Sequence, residues 1–256
     1  MKCKICSKNT KFFAKSRILR EYEISYFRCF DCGFVQTEEP YWLETAYRES
    51  INISDTGILC RNNYFARVIA TILYFLYNKR ASYLDYAGGY GLLVRLMRDI
   101  GFDFYWYDPY SQNIFARGFE YDPETTDIEL VTAIECFEHF VDPLAEIEKM
   151  LKVNSNILFT TELLPEPTPA LGKWWYYGLD HGQHISFYTK NTLKYCAELF
   201  GSRLLSIGSV HLLTSKNVRD VYFNMLVKLA RYGLFQFVDF KMQSKMDSDS
   251  QELSSK

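Results

Sequence analysis

Two Cys-x-x-Cys pairs, Cys3-Lys-Ile-Cys6 and Cys29-Phe-Asp-Cys32, stand at the head of the chain with 22 residues between them. This spacing restricts local folding more tightly than any other feature of the sequence. A two-residue gap lets both thiolates of one pair point at a single cation, and a tetrahedral four-sulfur set selects zinc, or less often iron. Gly33 follows the second pair, where the turn favours a residue without a Cβ. A module of about forty residues buries too little surface to fold unaided, whereas a structural zinc contributes roughly 10–16 kcal/mol of apparent binding free energy. Cys3, Cys6, Cys29 and Cys32 are therefore expected to hold a structural zinc, with residues 1–40 forming a ribbon around it. Four saturating ligands leave neither an open coordination position nor an activated thiol, which sets a redox role aside. Cys60, Cys136 and Cys196 are scattered, form no second metal pattern and read as core residues.

Charge is spread unevenly. Residues 1–28 carry eight Lys or Arg against two Glu, and the remainder holds 21 basic against 29 acidic residues, for a formal net charge of −2. A globally basic nucleic-acid binder is not expected from this balance, and the basic, aromatic stretch 8–28 is where an anion or glycan would be met. Met1-Lys2 leads straight into Cys3, without the apolar run or small-residue cleavage site of a secretory signal, so the expectation is a cytoplasmic protein starting at Met1. In that compartment the cysteines are thiols or metal ligands before they are disulfides. The longest apolar stretch, 68–77, is half the roughly 20 residues that a membrane span requires, and no transmembrane segment is expected.

At 256 residues, 48% of them hydrophobic, the chain suits one sizeable α/β domain plus a small accessory module. Residues 58–77 lack Gly and Pro and read as a helix. Residues 81–85 then read as a buried strand, Tyr86-Ala-Gly-Gly-Tyr-Gly91 as a tight turn, and 92–98 as a helix with its apolar face inward. A second strand, 103–107, ends in Asp108, 17 residues past Gly91, where a carboxylate is placed to hydrogen-bond ribose hydroxyls. Gly89-x-Gly91 begins a dinucleotide fingerprint, but Val94 occupies the third position, where a small residue normally permits close helix packing. Residues 128–134 form another buried strand, running into Glu135-Cys-Phe-Glu138-His139.

Asp85-Tyr-Ala-Gly-Gly-Tyr-Gly91, Asp108 and the strand ending in Glu135 with Glu138-His139 together resemble the successive motifs of class I S-adenosylmethionine-dependent methyltransferases. Gly182-Gln-His-Ile-Ser-Phe-Tyr-Thr189 is similar to a segment of the subgroup that carries an N-terminal zinc-binding module, and the resemblance runs to about residue 205. It implies a Rossmann-like α/β sheet with an N-terminal zinc ribbon. It also implies that Asp85, Ala87, Gly88, Gly89 and Gly91 surround the methionine part of S-adenosylmethionine, that Asp108 takes the ribose, and that Glu135 lines the cofactor pocket. Phe119 and Glu120 are the adenine neighbours it suggests. The family has glycine where Ala87 stands; a methyl is a small intrusion, read as reduced tolerance in the loop. The implied division is a ribbon at 1–40, a helical connector at 41–80, the methyltransferase domain at 81–210, a helical extension at 211–242 that offers an oligomer contact, and a polar, disordered tail at 243–256.

Methyl transfer to an oxygen usually wants a base, and of four histidines His184, with His181 close behind, lies in an aromatic loop after the fifth strand. His139 is a third candidate; a histidine that merely hydrogen-bonds the loop in place is the plainer alternative. Glu135, Glu138 and His139 share one face of a turn and offer a divalent-cation site, as some quinone-pathway methyltransferases similar in this segment are thought to use, or else serve as pocket and helix-start residues. The expected activity is methylation of a hydroxyl on a small molecule or glycan, such as a sugar nucleotide or polysaccharide. RNA methylation guided by the ribbon, and a noncatalytic protein that keeps the fold, are the alternatives.

Overall fold

The computed structural model of the chain describes residues 1–48 and 51–255. In chain order its elements are β1 (Thr10–Ile18), β2 (Tyr22–Cys29), β3 (Val35–Thr37), α1 (Leu43–Ala46), α2 (Ile58–Leu76), β4 (Ser82–Tyr86), α3 (Leu92–Ile100), β5 (Asp103–Tyr107), β6 (Ile128–Ala133), α4 (Pro143–Val153), β7 (Ile157–Thr160), β8 (Ser186–Phe187), α5 (Lys190–Leu199), β9 (Arg203–Ile207), β10 (Val210–Thr214), α6 (Asp220–Leu229), α7 (Phe235–Lys241) and α8 (Met246–Ser254). Contacts gather these into two units, each assembled from separated stretches. Unit 1 comprises Met1–Asn52, Glu135–Lys149 and Phe159–Ser215; unit 2 comprises Ile53–Ile134, Met150–Leu158 and Lys216–Lys256.

In unit 1, β1 and β2 form a hairpin with three residues between the paired Ile18 and Tyr22; Leu19 and Arg20 are both left-handed, the backbone that matches strand twist, and the Glu21 N–H donates to the Ile18 carbonyl at 3.0 Å. β3 adds antiparallel to β2 and β8 antiparallel to β3, giving a four-stranded sheet. Ile24, Tyr26, Val35, Trp42, Tyr176 and Phe187 are among the residues of its apolar core. Trp42 Nε1 donates to the Gly182 carbonyl at 2.7 Å, so the indole is buried with its polar atom satisfied.

A second, six-stranded sheet runs in the order β5-β4-β6-β7-β10-β9. β4 is parallel to both β5 and β6, and β10 is antiparallel to β9, a mixed Rossmann-like sheet with helices. β4 and β6 are buried along nearly their whole length, as strands covered on both faces are. Because β4 is flanked by β5 on one side and β6 on the other, the strand order reverses there, and open α/β sheets bind ligands beyond such a reversal.

Two expectations give way at the C-terminal end. Residues 211–214, assigned to a helical extension, complete β10. Residues 243–256, expected to be disordered, contain α8, which buries Asp249. Polar composition misleads there because the buried partner is ionic: Arg98, 3% exposed, donates to both carboxylate oxygens of Asp249 at 2.7 and 2.8 Å, and a buried guanidinium demands such pairing. The linear division into ribbon, connector and catalytic domain likewise differs from the packing, since α1 lies with the ribbon strands in unit 1 and α2 lies in unit 2. Among the described residues no helix is long and apolar enough to cross a membrane.

Candidate active site

The glycine loop belongs to unit 2. After β4 the chain turns through Ala87 (φ 57°), Gly89 (φ 54°) and Gly91 (φ 85°) before α3 begins. Left-handed backbone excludes larger side chains at low cost, which accounts for the composition of this loop. A Cβ on Gly88 would fall 2.9 Å from Asp85 Oδ2, and one on Gly91 would fall 2.9 Å from Asn113 Oδ1. On Gly89 it would meet nothing within 4 Å, so the loop is closely packed beneath and open at Gly89.

Parallel pairing sets Asp85 beside Trp106 of β5 and Thr132 of β6. Asp85 is buried, and Thr132 Oγ1 donates to its carboxylate at 2.8 Å. Burial pushes the Asp85 carboxyl up to about 7; the Thr132 hydrogen bond opposes this and the Asp108 charge adds to it. Asp108 holds the loop itself: its Oδ2 accepts the Gly89 N–H at 2.9 Å, and its Oδ1 accepts those of Tyr110 and Ser111 at 2.8 and 2.9 Å. Three of the roughly four lone-pair positions of the carboxylate are thereby filled, which leaves one for a ligand hydroxyl. Trp106 Nε1 donates to the Gly89 carbonyl at 2.9 Å and fixes the same residue from its other side.

Phe119 is the residue that the resemblance sets beside the adenine. Its ring is buried and lies under the Arg98 guanidinium, 3.6 Å from the centroid. Glu120 is exposed, accepting from Asn113 Nδ2 at 2.6 Å and from the Gly118 N–H at 2.9 Å. Asn113 and Thr132 are the loop-supporting residues that sequence reasoning missed. Thr132 was detectable only through the strand register opposite Asp85, and Asn113 carried no signal.

Among the described residues, unit 1 holds two clusters of side chains that could ligate a metal. In the first, Cys3, Cys6, Cys29 and Cys32 are all buried and their sulfurs lie within 4.8 Å of one another. Cys3 and Cys32 approach to 3.6 Å and Cys6 and Cys29 to 3.4 Å, close to the ~3.8 Å between ligands of a tetrahedral zinc with 2.3 Å bonds. Each knuckle turns through a left-handed residue, Ser7 (φ 58°) and Gly33 (φ 83°). The hydroxyls of Thr189 and Thr192 donate to the Cys32 carbonyl at 3.0 and 2.8 Å, closing the second knuckle. The donor set fits a zinc ion.

The second cluster is Glu138, His139 and His184, whose ligand atoms also lie within 4.8 Å of one another. Glu138 and His139 belong to a single 3-10 turn, Phe137–His139, held by Tyr188 Oη donating to the Phe137 carbonyl at 2.9 Å and by Phe137 stacked on Phe159 at 3.9 Å. The Ile185 N–H donates to the Glu138 carbonyl at 2.8 Å, which sets His184 alongside the turn. His184 Nδ1 lies 2.6 Å from the Tyr176 carbonyl, and His139 Nδ1 lies 3.0 Å from the Gln183 carbonyl. A carbonyl only accepts, so His184 Nδ1 carries the proton and its neutral ring keeps the lone pair on Nε2. His139 Nδ1 also lies 2.9 Å from the Tyr47 hydroxyl, which can donate to it or accept from it, so both neutral tautomers have a partner there. Burial holds the His139 pKa below its ordinary value, which favours a neutral ring. His181 has the opposite tautomer to His184, because its Nδ1 accepts the Gln183 N–H at 3.2 Å. Its ring lies 4.7 Å from that of His184.

Glu135, two residues past β6, has left-handed backbone (φ 54°) and turns its carboxylate to Thr160, whose hydroxyl donates to it at 2.7 Å and accepts the Glu135 N–H at 2.8 Å. It therefore stands apart from the cation-ligand cluster that sequence spacing suggested, and His184 takes its place. The aromatic loop 174–177 is mostly core: Tyr176 and Tyr177 are buried, while Trp175 is 75% exposed.

Sheet, loop and Asp108 together define a class I S-adenosylmethionine-dependent methyltransferase. The chain belongs to the methyltransferase-domain family, whose model matches residues 61–207. No curated protein matches it. Among solved structures it is similar to magnesium protoporphyrin IX methyltransferase from Synechocystis with bound S-adenosylhomocysteine, at 11% identity and a TM-score of 0.43, over 67% of this chain and 90% of that one. It is similar to TnmH at 16% and 0.46, over 68% and 60%, and to human N-acetylserotonin methyltransferase with bound S-adenosylmethionine at 14% and 0.40, over 68% and 65%.

Proposed function

We propose that the protein methylates a hydroxyl group of a small-molecule or glycan acceptor, a sugar nucleotide or polysaccharide unit being the first class to try, and that a structural zinc holds its ribbon. The observation that carries this reading is the orientation of the His184 imidazole. His184 gives Nδ1–H to a backbone carbonyl and keeps Nε2 basic, the arrangement that suits a group handling a hydroxyl proton near neutral pH, and the His139 ring stands 4.9 Å from it. His181, with its proton on Nε2 in the neutral form, is suited to donate a hydrogen bond instead. S-adenosylmethionine supplies an electrophilic methyl on a sulfonium when bound. Asp85 would face the positive charges of its methionine part, the Gly89 opening would admit it, and Asp108 would offer its remaining lone pair to the ribose.

The test is transfer of labelled methyl from S-adenosylmethionine to a panel of nucleotide sugars and polyols, with amine and RNA acceptors run beside them. Methylated hydroxyls are expected, with kcat falling about 10²–10⁴-fold in His184→Ala. Label that appears only on nitrogen or on RNA, or hydroxyl transfer undiminished in that variant, would overturn the reading.

A further inference from the structure

We infer that the outward face of α6 and α7 docks the protein on an anionic lipid surface, with its apolar side chains entering the headgroup layer and its lysines and arginine meeting lipid phosphates. The inference concerns unit 2 alone and stands apart from the acceptor reading.

The argument starts from a helix that is apolar on two sides. Inward, Phe223, Leu226, Val227 and Ala230 are buried where α6 packs on α2. Outward, Val221, Tyr222, Met225 and Leu229 are exposed, Val221 by 80%. Those four recur at i, i+1, i+4 and i+8, so they form one stripe over about a third of the helix circumference, clear of the buried face. A surface helix whose only task is to cover a core carries polar residues on its far side, and one that is apolar on both sides expects a second apolar phase. Single exposed apolar residues are ordinary, whereas a continuous stripe marks an interaction site.

The stripe continues past the end of α6. A five-residue turn, Ala230–Leu234, breaks the helix at Gly233 (φ 105°), and α7 follows. Tyr232 in the turn and Phe240 in α7 are each 81% exposed, and Phe237 is exposed between them. Val238, fully buried, marks the side of α7 that faces inward.

Charge selects the partner. Residues 219–241 carry four Lys or Arg against two Asp, whereas the rest of the chain holds 25 basic against 29 acidic residues. The cations stand beside the apolar groups. Lys228, at i+7 from Val221, is exposed and borders the stripe. Lys241 Nζ lies 5.8 and 5.4 Å from the ring centroids of Phe237 and Phe240. Arg231 donates to the Tyr64 hydroxyl from Nε and Nη2 at 3.0 and 2.6 Å, which holds its guanidinium next to exposed Tyr232. Rings and aliphatic stems below, with charges held above them, is the arrangement of a helix lying in a membrane interface, a layer that tyrosine also favours. A second copy of this chain fits the face poorly, since a two-fold contact would set Lys228, Arg231 and Lys241 against the same residues of the other copy. An RNA backbone would satisfy the cations but leave the apolar stripe in water.

Co-sedimentation of the full-length protein with vesicles tests the proposal. One set is phosphatidylcholine alone and the other is phosphatidylcholine mixed equally with phosphatidylglycerol. Binding to the mixed vesicles is expected to exceed that to phosphatidylcholine by more than about tenfold, and to weaken as salt rises from about 0.1 M to about 1 M. Lys228→Gln combined with Lys241→Gln should weaken it about tenfold or more, since each cation near an anionic surface is worth roughly fivefold. Leu229→Ser combined with Phe240→Ser should weaken it by a similar factor, while the thermal midpoint stays that of the wild type, because both positions are exposed. Should either pair fail to fold, quenching by brominated lipid of the emission gained in Tyr232→Trp decides the question, and unquenched emission from vesicle-bound protein refutes the docking face. Failure to sediment with the mixed vesicles, or undiminished binding by both folded pairs, would overturn the proposal. So would binding that is lost instead in Lys11→Gln combined with Lys15→Gln on β1, which would place the contact on the ribbon. A dimer in sedimentation equilibrium that Leu229→Ser with Phe240→Ser dissolves would give the face to a second copy and overturn it equally.

Discussion

Ala87 holds left-handed backbone at φ 57°, the conformation for which glycine is the usual solution. The methyl expected to reduce tolerance in the loop is instead a local strain. A non-glycine residue in this region costs roughly 1–2 kcal/mol, and the extra freedom of glycine in the unfolded chain returns about 0.4–1 kcal/mol of that. Ala87→Gly should therefore stabilise the protein slightly, by up to about 1 kcal/mol in urea unfolding; a loss of stability would refute the strain account. Asp85 carries a sharper expectation. Its folded-state pKa is raised to about 7, so its ionisation opposes folding, and its contribution to stability falls as pH rises from the usual carboxylate value through 7. Under the proposed function Asp85 faces the sulfonium and ammonium of the methionine part, which favour its ionised form. Affinity for S-adenosylmethionine, followed calorimetrically between about pH 5.5 and 8.5, should weaken up to tenfold per unit below 7, and Asp85→Asn should flatten the profile while lowering affinity throughout. A wild-type profile flat across that window would refute the role given to Asp85.

Among elements, α8 shows what the sequence could and could not reveal. The ribbon was legible because its four ligands lie in two short runs with invariable geometry, and the glycine loop because backbone sterics limit the residues it accepts. The docking of α8 was not. A polar, serine-rich stretch normally stays in solvent, and only the guanidinium of Arg98, buried 151 residues earlier, gives Asp249 a reason to be covered. Arg95 also reaches Asp249, at 2.9 Å, and Arg98 bonds Asp103 at 2.8 Å. The pairing of His139 with His184 was hidden for a related reason: both residues were singled out, but no periodicity brings a loop past β7 against a turn past β6. Asp249→Ala should cost about 3–5 kcal/mol, because it leaves Arg98 buried with one partner fewer. The double variant Arg98→Met, Asp249→Leu should recover most of that loss. A single substitution costing under about 1 kcal/mol in thermal unfolding would show that α8 is not held by this pair.

At the scale of the whole molecule, the two units interleave along the chain, with unit 1 drawn from three separated stretches. Tryptophans report on the units separately: Trp42 is buried in the core of unit 1, while Trp106 bonds the glycine loop of unit 2. If zinc holds the ribbon as proposed, stripping it with a strong chelator would remove roughly 10–16 kcal/mol of apparent binding free energy and should shift Trp42 emission to the red. Unchanged emission on removal of one bound metal would argue against a structural ribbon. The four-stranded sheet of unit 1 also has a history in time. Its first three strands come from the opening forty residues, but its fourth is β8, and the carbonyl of Cys32 waits for the hydroxyls of Thr189 and Thr192. On a ribosome adding about 5–20 residues each second, the knuckles emerge many seconds before their closing strand exists. The earliest part of this protein to be synthesised is thus among the last to be finished, and the four thiols of a nascent chain pass that whole interval without their closing strand.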